Sequence, residues 1–339
     1  MTDMTESRCI NMTEKTAEKM TGEISEKKTG KKAEKTAGKM IGNIAGIMIG
    51  NIAGKMIGNI TRKKQVQEFR KNRLAVLGVL LIAFLAFLAL FAPLVSPHDP
   101  LEQKLERGLE GPSLEYPFGT DNLGRCIFSR VVYGTQVSLG IGVLVVTATS
   151  IAGTLLGILS GYKGGLFDEI VMRGVDIVLA FPNIILALVI AGLLGSGFFN
   201  VVLALSLTQW PVYTRLVRAQ VLSLKKQAFV EAARALRASN FYIMRRHILP
   251  NCMGSVVVLG TLEIAHVIIF AAALSFLGLG IPMPTAEWGS MLKEGIPYLL
   301  SAPHLTFFPG LMIMLTVLAF NFAGDGLRDC LDTGTGVMA

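Results

Sequence analysis

Long apolar runs, free of Asp, Lys and Arg and broken by a single acid, Glu263, dominate the second two-thirds of this chain. They are Ala75 to Val95, Val137 to Tyr162, Ile177 to Thr214, Val256 to Leu279 and Leu305 to Phe322. A bilayer core is crossed by roughly 20 consecutive apolar residues in a helix, so each run reads as membrane-spanning. The third run is longer than one crossing needs and is punctuated at Gly195-Ser196-Gly197, which predicts two spans joined by a short turn. The pattern therefore predicts an all-α polytopic membrane protein of about six transmembrane helices.

Residues 1 to about 61 follow another pattern. The block Gly38-Lys39-Met40-Ile41-Gly42-Asn43-Ile44-Ala45 returns at Gly46 and at Gly54, and a Lys/Glu/Thr-rich version runs back to Thr13. Eight residues advance a helix by about 800°, or 80° past two turns, so the apolar positions smear around the axis. Two glycines per repeat weaken a helix further. Residues 1–64 thus read as a low-complexity, disordered or loosely surface-associated extension. Beyond it the expected organisation is a first span in 65–95, an extracytoplasmic loop in 96–131, a core in 132–325 and a tail in 326–339. The Gly-Lys steps do not make a phosphate loop. Gly54-Lys55 is followed by Met56 with Ile49 at the first position, and Gly38-Lys39 is followed by Met40 with Ala33 there.

Charge orients the spans. Arg62, Lys63, Lys64, Arg70, Lys71 and Arg73 precede the first, and Lys225, Lys226, Arg234, Arg237, Arg245 and Arg246 crowd the loop at 223–252. Asp99, Glu102, Glu106, Glu110 and Glu115 mark the opposite side. By the positive-inside bias the N-terminus, the 223–252 loop and the C-terminus are expected in the cytoplasm. Topology accounts for the formal charge of +8, and nucleic-acid binding is not needed to explain it. Cys9, Cys126, Cys252 and Cys330 are scattered, which supports neither a disulfide framework nor a zinc site. The first apolar run starts after residue 70 and is long enough to span, so it reads as a retained helix and not as a cleavable signal.

Candidate chemistry is sparse. His98, His247, His266 and His304 are isolated, and neither His-Glu-x-x-His nor Gly-x-Ser-x-Gly occurs, so no catalytic residue, bound cofactor or metal site is predicted. Glu263 and His266 lie one turn apart inside the fifth span, where ionisable residues are costly. Pore lining and structural pairing are both open readings. Gly153, Gly157 and Gly161 share a helix face at the spacing that lets helices approach closely. Asp168, Glu169, Arg173 and Asp176 cluster at a predicted cytoplasmic turn, where mutual pairing is expected.

The 223–252 loop is the richest feature. Lys225 to Arg237 reads as a short helix with Phe229, Ala232, Ala233 and Leu236 on one side. Ala238-Ser239-Asn240 offers a turn and an N-cap. A second short helix runs from Phe241 to Leu249, with Pro250 expected to stop it. A small apolar face rimmed by charge suits insertion into a protein cleft better than burial in lipid.

Here the residues resemble a known family. Glu231-Ala232-Ala233 with Ile248-Leu249-Pro250 is similar to the "EAA" loop of permease subunits of ATP-binding-cassette importers. Phe118-Gly119-Thr120-Asp121-Asn122-Leu123-Gly124-Arg125, Leu274-Ser275-Phe276-Leu277-Gly278-Leu279-Gly280, Glu287-Trp288-Gly289 and Gly324-Asp325-Gly326-Leu327-Arg328-Asp329 resemble the dipeptide/oligopeptide/nickel branch, and within it the "C"-type permease. The resemblance spans about Gln65 to Asp332. It implies the type I importer architecture in the inner (cytoplasmic) membrane and a non-enzymatic pore subunit that pairs with a "B"-type permease. It further implies two cytoplasmic ATPase subunits that use ATP, and an extracytoplasmic binding protein that delivers peptides or nickel. Its coupling residues would be Phe229, Glu231, Ala232, Ala233, Leu236, Arg237, Ile248, Leu249 and Pro250. A secondary transporter or channel working without an ATPase is the rival, but it would place charges within several spans. Two departures stand out. Arg237 replaces the family's glycine, and because a left-handed conformation is costly for Arg, the turn is expected to shift towards Asn240. Cys126 stands where the family usually has Asp.

Overall fold

The computed structural model of the chain describes residues 71–335; the repeats, residues 1–64 and the placement of the N-terminus lie outside the described residues. Helix α1 spans Arg73–Leu90, and Asn72 caps it by accepting from the Ala75 amide at 3.2 Å. A loop then leads to α2, Ile127–Lys163, whose 37 residues give a rod about 55 Å long. Next come α3, Gly165–Leu179, α4, Asn183–Leu194, and α5, Phe198–Leu224. The charged loop carries α6, Ala228–Ala235. A short turn at Asn240–Ile243 and a π-turn at Met244–Ile248 lead into α7, Leu249–Phe276. The short α8, Trp288–Gly295, and the long α9, His304–Thr335, complete the order. No strand is present among the described residues, where Thr120 and Cys126 form an isolated bridge.

Among the described residues four helices are long and apolar enough to cross a membrane, and a fifth span is formed if α3 and α4 are taken together. These two meet at 90°, so the third predicted span is not a straight rod. The cause is Pro182, the N-cap of α4: proline disfavours helical geometry in the residue before it. The predicted break after the third span falls where expected, with Gly195 at φ +82° and Gly197 at φ +154° between α4 and α5. Helix α5 has 27 residues, enough to cross, but its inner face is partly polar, with Thr208, Gln209 and Thr214 buried. Its other face is apolar and exposed, with Phe199, Leu203 and Leu207 outward.

The glycine stripe on α2 permits this packing. A Cβ at Gly153 would lie 2.5 Å from the Tyr213 Cβ, one at Gly157 2.8 Å from the Thr214 carbonyl oxygen, and one at Gly161 2.9 Å from the Val221 Cβ. With side chains excluded there, α2 and α5 run in near-backbone contact. Their shared core includes Ile141, Val145, Leu205, Val217 and Val221, and Ala187 of α4 with Val267 and Leu274 of α7 join it. A second cluster, Ile127, Val131, Met291, Ala302 and Leu305, ties α2 to α8 and α9 at the end of the bundle remote from the charged loop.

Candidate functional site

The charged loop is anchored on one face and open on the other. In α6, Val230 and Ala233 are buried against the bundle, whereas Phe229, Glu231, Ala232 and Leu236 are exposed, Leu236 to 84%. This divides the set that the sequence placed on one side: Ala233 looks inward with Val230, and Phe229, Ala232 and Leu236 look outward. An eight-residue helix can show three faces, and the apolar residues occupy two of them.

Helix α6 ends in a Schellman motif. The Ala238 amide donates to the Ala233 carbonyl at 3.1 Å and the Arg237 amide to that of Arg234 at 2.9 Å. Arg237 occupies the position that usually requires glycine, with φ +57°. The turn therefore stays at Arg237 and does not move to Asn240, because the two chain-reversing hydrogen bonds fix its register. Asn240 is helical, and Ser239 caps that turn by accepting from the Tyr242 amide at 3.2 Å. Pro250 does not stop the helix either. It lies in the first turn of α7, after the π-turn has widened the ladder, so its missing N–H leaves no regular bond broken. Ile248 is buried, Leu249 half-buried and Pro250 exposed.

Beneath the loop, side chains from α2, α3 and α5 converge. Arg218 grips Asp168 with two bonds of 2.6 Å, and the Ser160 hydroxyl donates to the same carboxylate. Arg215 reaches Asp176 at 3.0 Å. The acidic cluster thus pairs chiefly across to α5; Glu169 and Arg173, 3.8 Å apart and exposed, keep the local pairing the sequence suggested. Tyr162 receives Lys225 and Arg234 over its ring and donates its hydroxyl to Asn240 at 2.9 Å.

Within α7, Glu263 and His266 pair at 3.6 Å; the Glu263 side chain is buried and that of His266 is 60% exposed. The two side chains lie on one face of α7, with the imidazole exposed, an arrangement compatible with both pairing and pore lining.

At the remote end lies a network that sequence reading missed. Asp121 takes Arg125 Nε at 2.6 Å and Arg130 Nη1 at 2.5 Å, while Glu294 takes Arg125 Nη2 at 2.7 Å and Arg130 Nη1 at 2.8 Å. Both guanidinium groups are at most 2% exposed. The turn-forming run at 118–125 shapes it. Asp121 Oδ1 accepts from the Leu123 and Arg125 amides at 2.9 Å. At Gly124 (φ +72°) a Cβ would meet the Lys104 carbonyl oxygen at 1.8 Å. Beside the network, Glu287 caps α8 by accepting from Gly289 and Ser290 amides at 2.9 and 2.8 Å, and the Trp288 indole donates to the Val131 carbonyl at 3.1 Å. Gly289 is obligatory, since a Cβ there would sit 2.5 Å from the Ala272 carbonyl oxygen.

A family described as binding-protein-dependent transport system inner membrane component matches residues 153–337. A second, the N-terminal TM domain of oligopeptide transport permease C, matches residues 63–112. The dipeptide transport system permease protein DppC of Alkalihalophilus pseudofirmus is 43% identical over 270 residues, 80% of this chain and 89% of the relative. The glutathione transport system permease protein GsiD of Escherichia coli is 47% identical over 267 residues, 78% of this chain and 88% of the relative. Among solved structures, an inward-facing conformation of the MetNI methionine ABC transporter is similar at a TM-score of 0.50 and 18% identity, over 60% of this chain and 97% of that one. That likeness is one of fold.

Proposed function

We infer from one fact, that this chain belongs to the family of binding-protein-dependent transport system inner membrane components, that it is one half of the pore of an ATP-driven importer of small peptides. The observation that carries this reading is the two-faced helix α6. Val230 and Ala233 root it in the bundle, and Phe229, Glu231, Ala232 and Leu236 stand free. A helix so mounted between two spans has an unfilled apolar face of small area, rimmed by Arg234, Arg237 and Glu231, which suits a cleft on a cytoplasmic ATPase. ATP is bound and split there, not in this chain. A "B"-type permease supplies the other half of the pore, and an extracytoplasmic binding protein presents substrate at the end carrying Asp121, Arg130 and Glu294. The N- and C-termini lie in the cytoplasm, in the inner membrane arrangement that the charge pattern predicts.

Mechanistically, closure of the ATPase pair would move the α6 segments, and the helices rooted beneath them would tilt to alternate the pore between outward and inward access. Peptides are favoured over nickel because the two named relatives are described as dipeptide and glutathione permeases.

The test is co-purification and uptake. With its operon partners co-expressed, the wild-type chain should retain the ATPase subunits and drive ATP-dependent uptake of a labelled dipeptide or glutathione. Glu231→Lys should release the ATPase and abolish uptake. Unchanged association and uptake in that variant would overturn the docking role, and uptake of nickel in place of peptide would overturn the substrate class.

A further inference from the structure

We propose that Tyr162 is the positioning residue through which the ATPase-docking segment grips the long membrane helix α2, so that movement of α6 becomes movement of α2. This rests on the reading of α6 as the docking helix. It adds the link between that helix and the membrane.

Tyr162 lies in the last turn of α2 and is 8% exposed. Three parts of the docking segment meet on this one side chain. Lys225, at the end of α5, places Nζ 5.7 Å from the ring centroid, and Arg234 of α6 places Cζ 5.4 Å from it. Asn240, beyond the Schellman turn, accepts the hydroxyl hydrogen bond at 2.9 Å. Lys225 also donates to the Gly161 and Tyr162 carbonyls at 3.1 and 2.9 Å. These are last-turn carbonyls of α2 that have no partner within the helix. The segment is thus held before, within and after α6, always to the same terminus.

What lies beyond the grip makes it consequential. Helix α2 is unbroken from Ile127 to Lys163. Its first turn carries Arg130, joined to Asp121 and Glu294 in the buried network. Tyr162 and Arg130 are separated by about 48 Å of helix. A stiff helix fixed at both ends shifts as a unit, whereas the exposed connection at Lys226 and Gln227 could absorb a displacement of α6 without passing it on.

A tyrosine that merely fills space would affect assembly and leave the transport yield per ATP alone. The experiment therefore uses the full complex in proteoliposomes, measuring ATPase retention, ATP hydrolysis and peptide uptake. Tyr162→Leu removes ring and hydroxyl but keeps apolar bulk. It should retain the ATPase subunits and hydrolysis while uptake per ATP falls about five-fold or more, the low end of ordinary coupling free energies. Tyr162→Phe and Asn240→Ala each break the same hydrogen bond from opposite sides, with the ring contacts preserved. Each should lower uptake per ATP by about two-fold, and the double variant should be no worse than either single, as a shared bond requires. Unchanged uptake per ATP in an assembled Tyr162→Leu complex would overturn the proposal, as would additive effects of the two hydrogen-bond variants. If Tyr162→Leu fails to assemble, the Phe and Ala pair decides by the same criterion. Failure of the docking reading itself would look different: the wild-type chain would not retain an ATPase at all.

Discussion

Arg130, in the first turn of α2, holds Glu294 of α8 at 2.8 Å with its side chain 1% exposed. Two residues far apart in sequence thus fasten the start of the longest helix to a short helix at the bundle's end. Asp121 and Arg125 complete a four-member set with two charges of each sign.

Such a set is neutral only as a whole. Replacing Asp121 by Asn leaves two buried guanidinium groups facing one carboxylate, and breaking a buried pair from one side costs about 3–5 kcal/mol. We expect Asp121→Asn and Glu294→Gln each to lower the thermal midpoint of the purified protein sharply. Neutralising a partner as well, as in Asp121→Asn with Arg125→Met, should recover part of the loss. A double variant less stable than Asp121→Asn alone would count against charge balance as the cause.

Arg237 offers a second test. Its φ of +57° is unfavourable for a residue with a Cβ by about 1–2 kcal/mol, whereas glycine adopts it freely but loses more entropy on folding. Arg237→Gly should stabilise the protein by about 1 kcal/mol and Arg237→Val should destabilise it, read as opposite shifts in thermal midpoint. If Asn240→Gly stabilised instead, the turn would lie where sequence reasoning first put it.

These particulars show what the sequence made legible. The apolar runs and the Gly195–Gly197 break marked the helices, because both depend on local composition and backbone freedom. The resemblance in Glu231-Ala232-Ala233 located the loop. What could not be read was anything set by distant partners. Glu294 has no local sign of its bond to Arg130, and Tyr162 looks like an ordinary interfacial tyrosine until Lys225, Arg234 and Asn240 are folded over it. The inward turn of Ala233 was missed for a related reason: periodicity shows that faces exist, not which one the bundle covers. The shifted turn at Asn240 and the stop at Pro250 were misjudged because local propensity was weighed without the Schellman bonds and the π-turn that override it.

Cys126 is the N-cap residue of α2 and makes no side-chain capping bond. Its sulfur is a weak acceptor, so the amides of Phe128 and Ser129, which a cap side chain would serve, gain nothing from it. Serine is close in size and supplies the missing acceptor. Cys126→Ser should raise stability by about 0.5–2 kcal/mol, the range for capping residues. Cys126→Asp should do the same if the nearby carboxylates are matched by Arg125 and Arg130. A lowered midpoint for the serine variant would show that the thiol's packing outweighs the cap.

Glu287 yields a pH dependence with a definite sign. Burial pushes its carboxyl above the usual carboxylate range, while the Gly289 and Ser290 amides pull it back in part. A folded-state value above the unfolded one means that the stability this group contributes is fully present below the unfolded value, near pH 4.3. It is then lost as pH rises through the folded value. Glu287→Gln keeps an oxygen to accept one amide and cannot ionise, so it lacks this loss. The wild-type midpoint, taken relative to that of Glu287→Gln, should therefore fall as pH rises from about 4.3 towards 7. Using the difference between the two proteins cancels the titration of every other group. A difference that stayed flat, or rose with pH, would mean that the two amides of α8 hold the carboxylate more strongly than burial disfavours it.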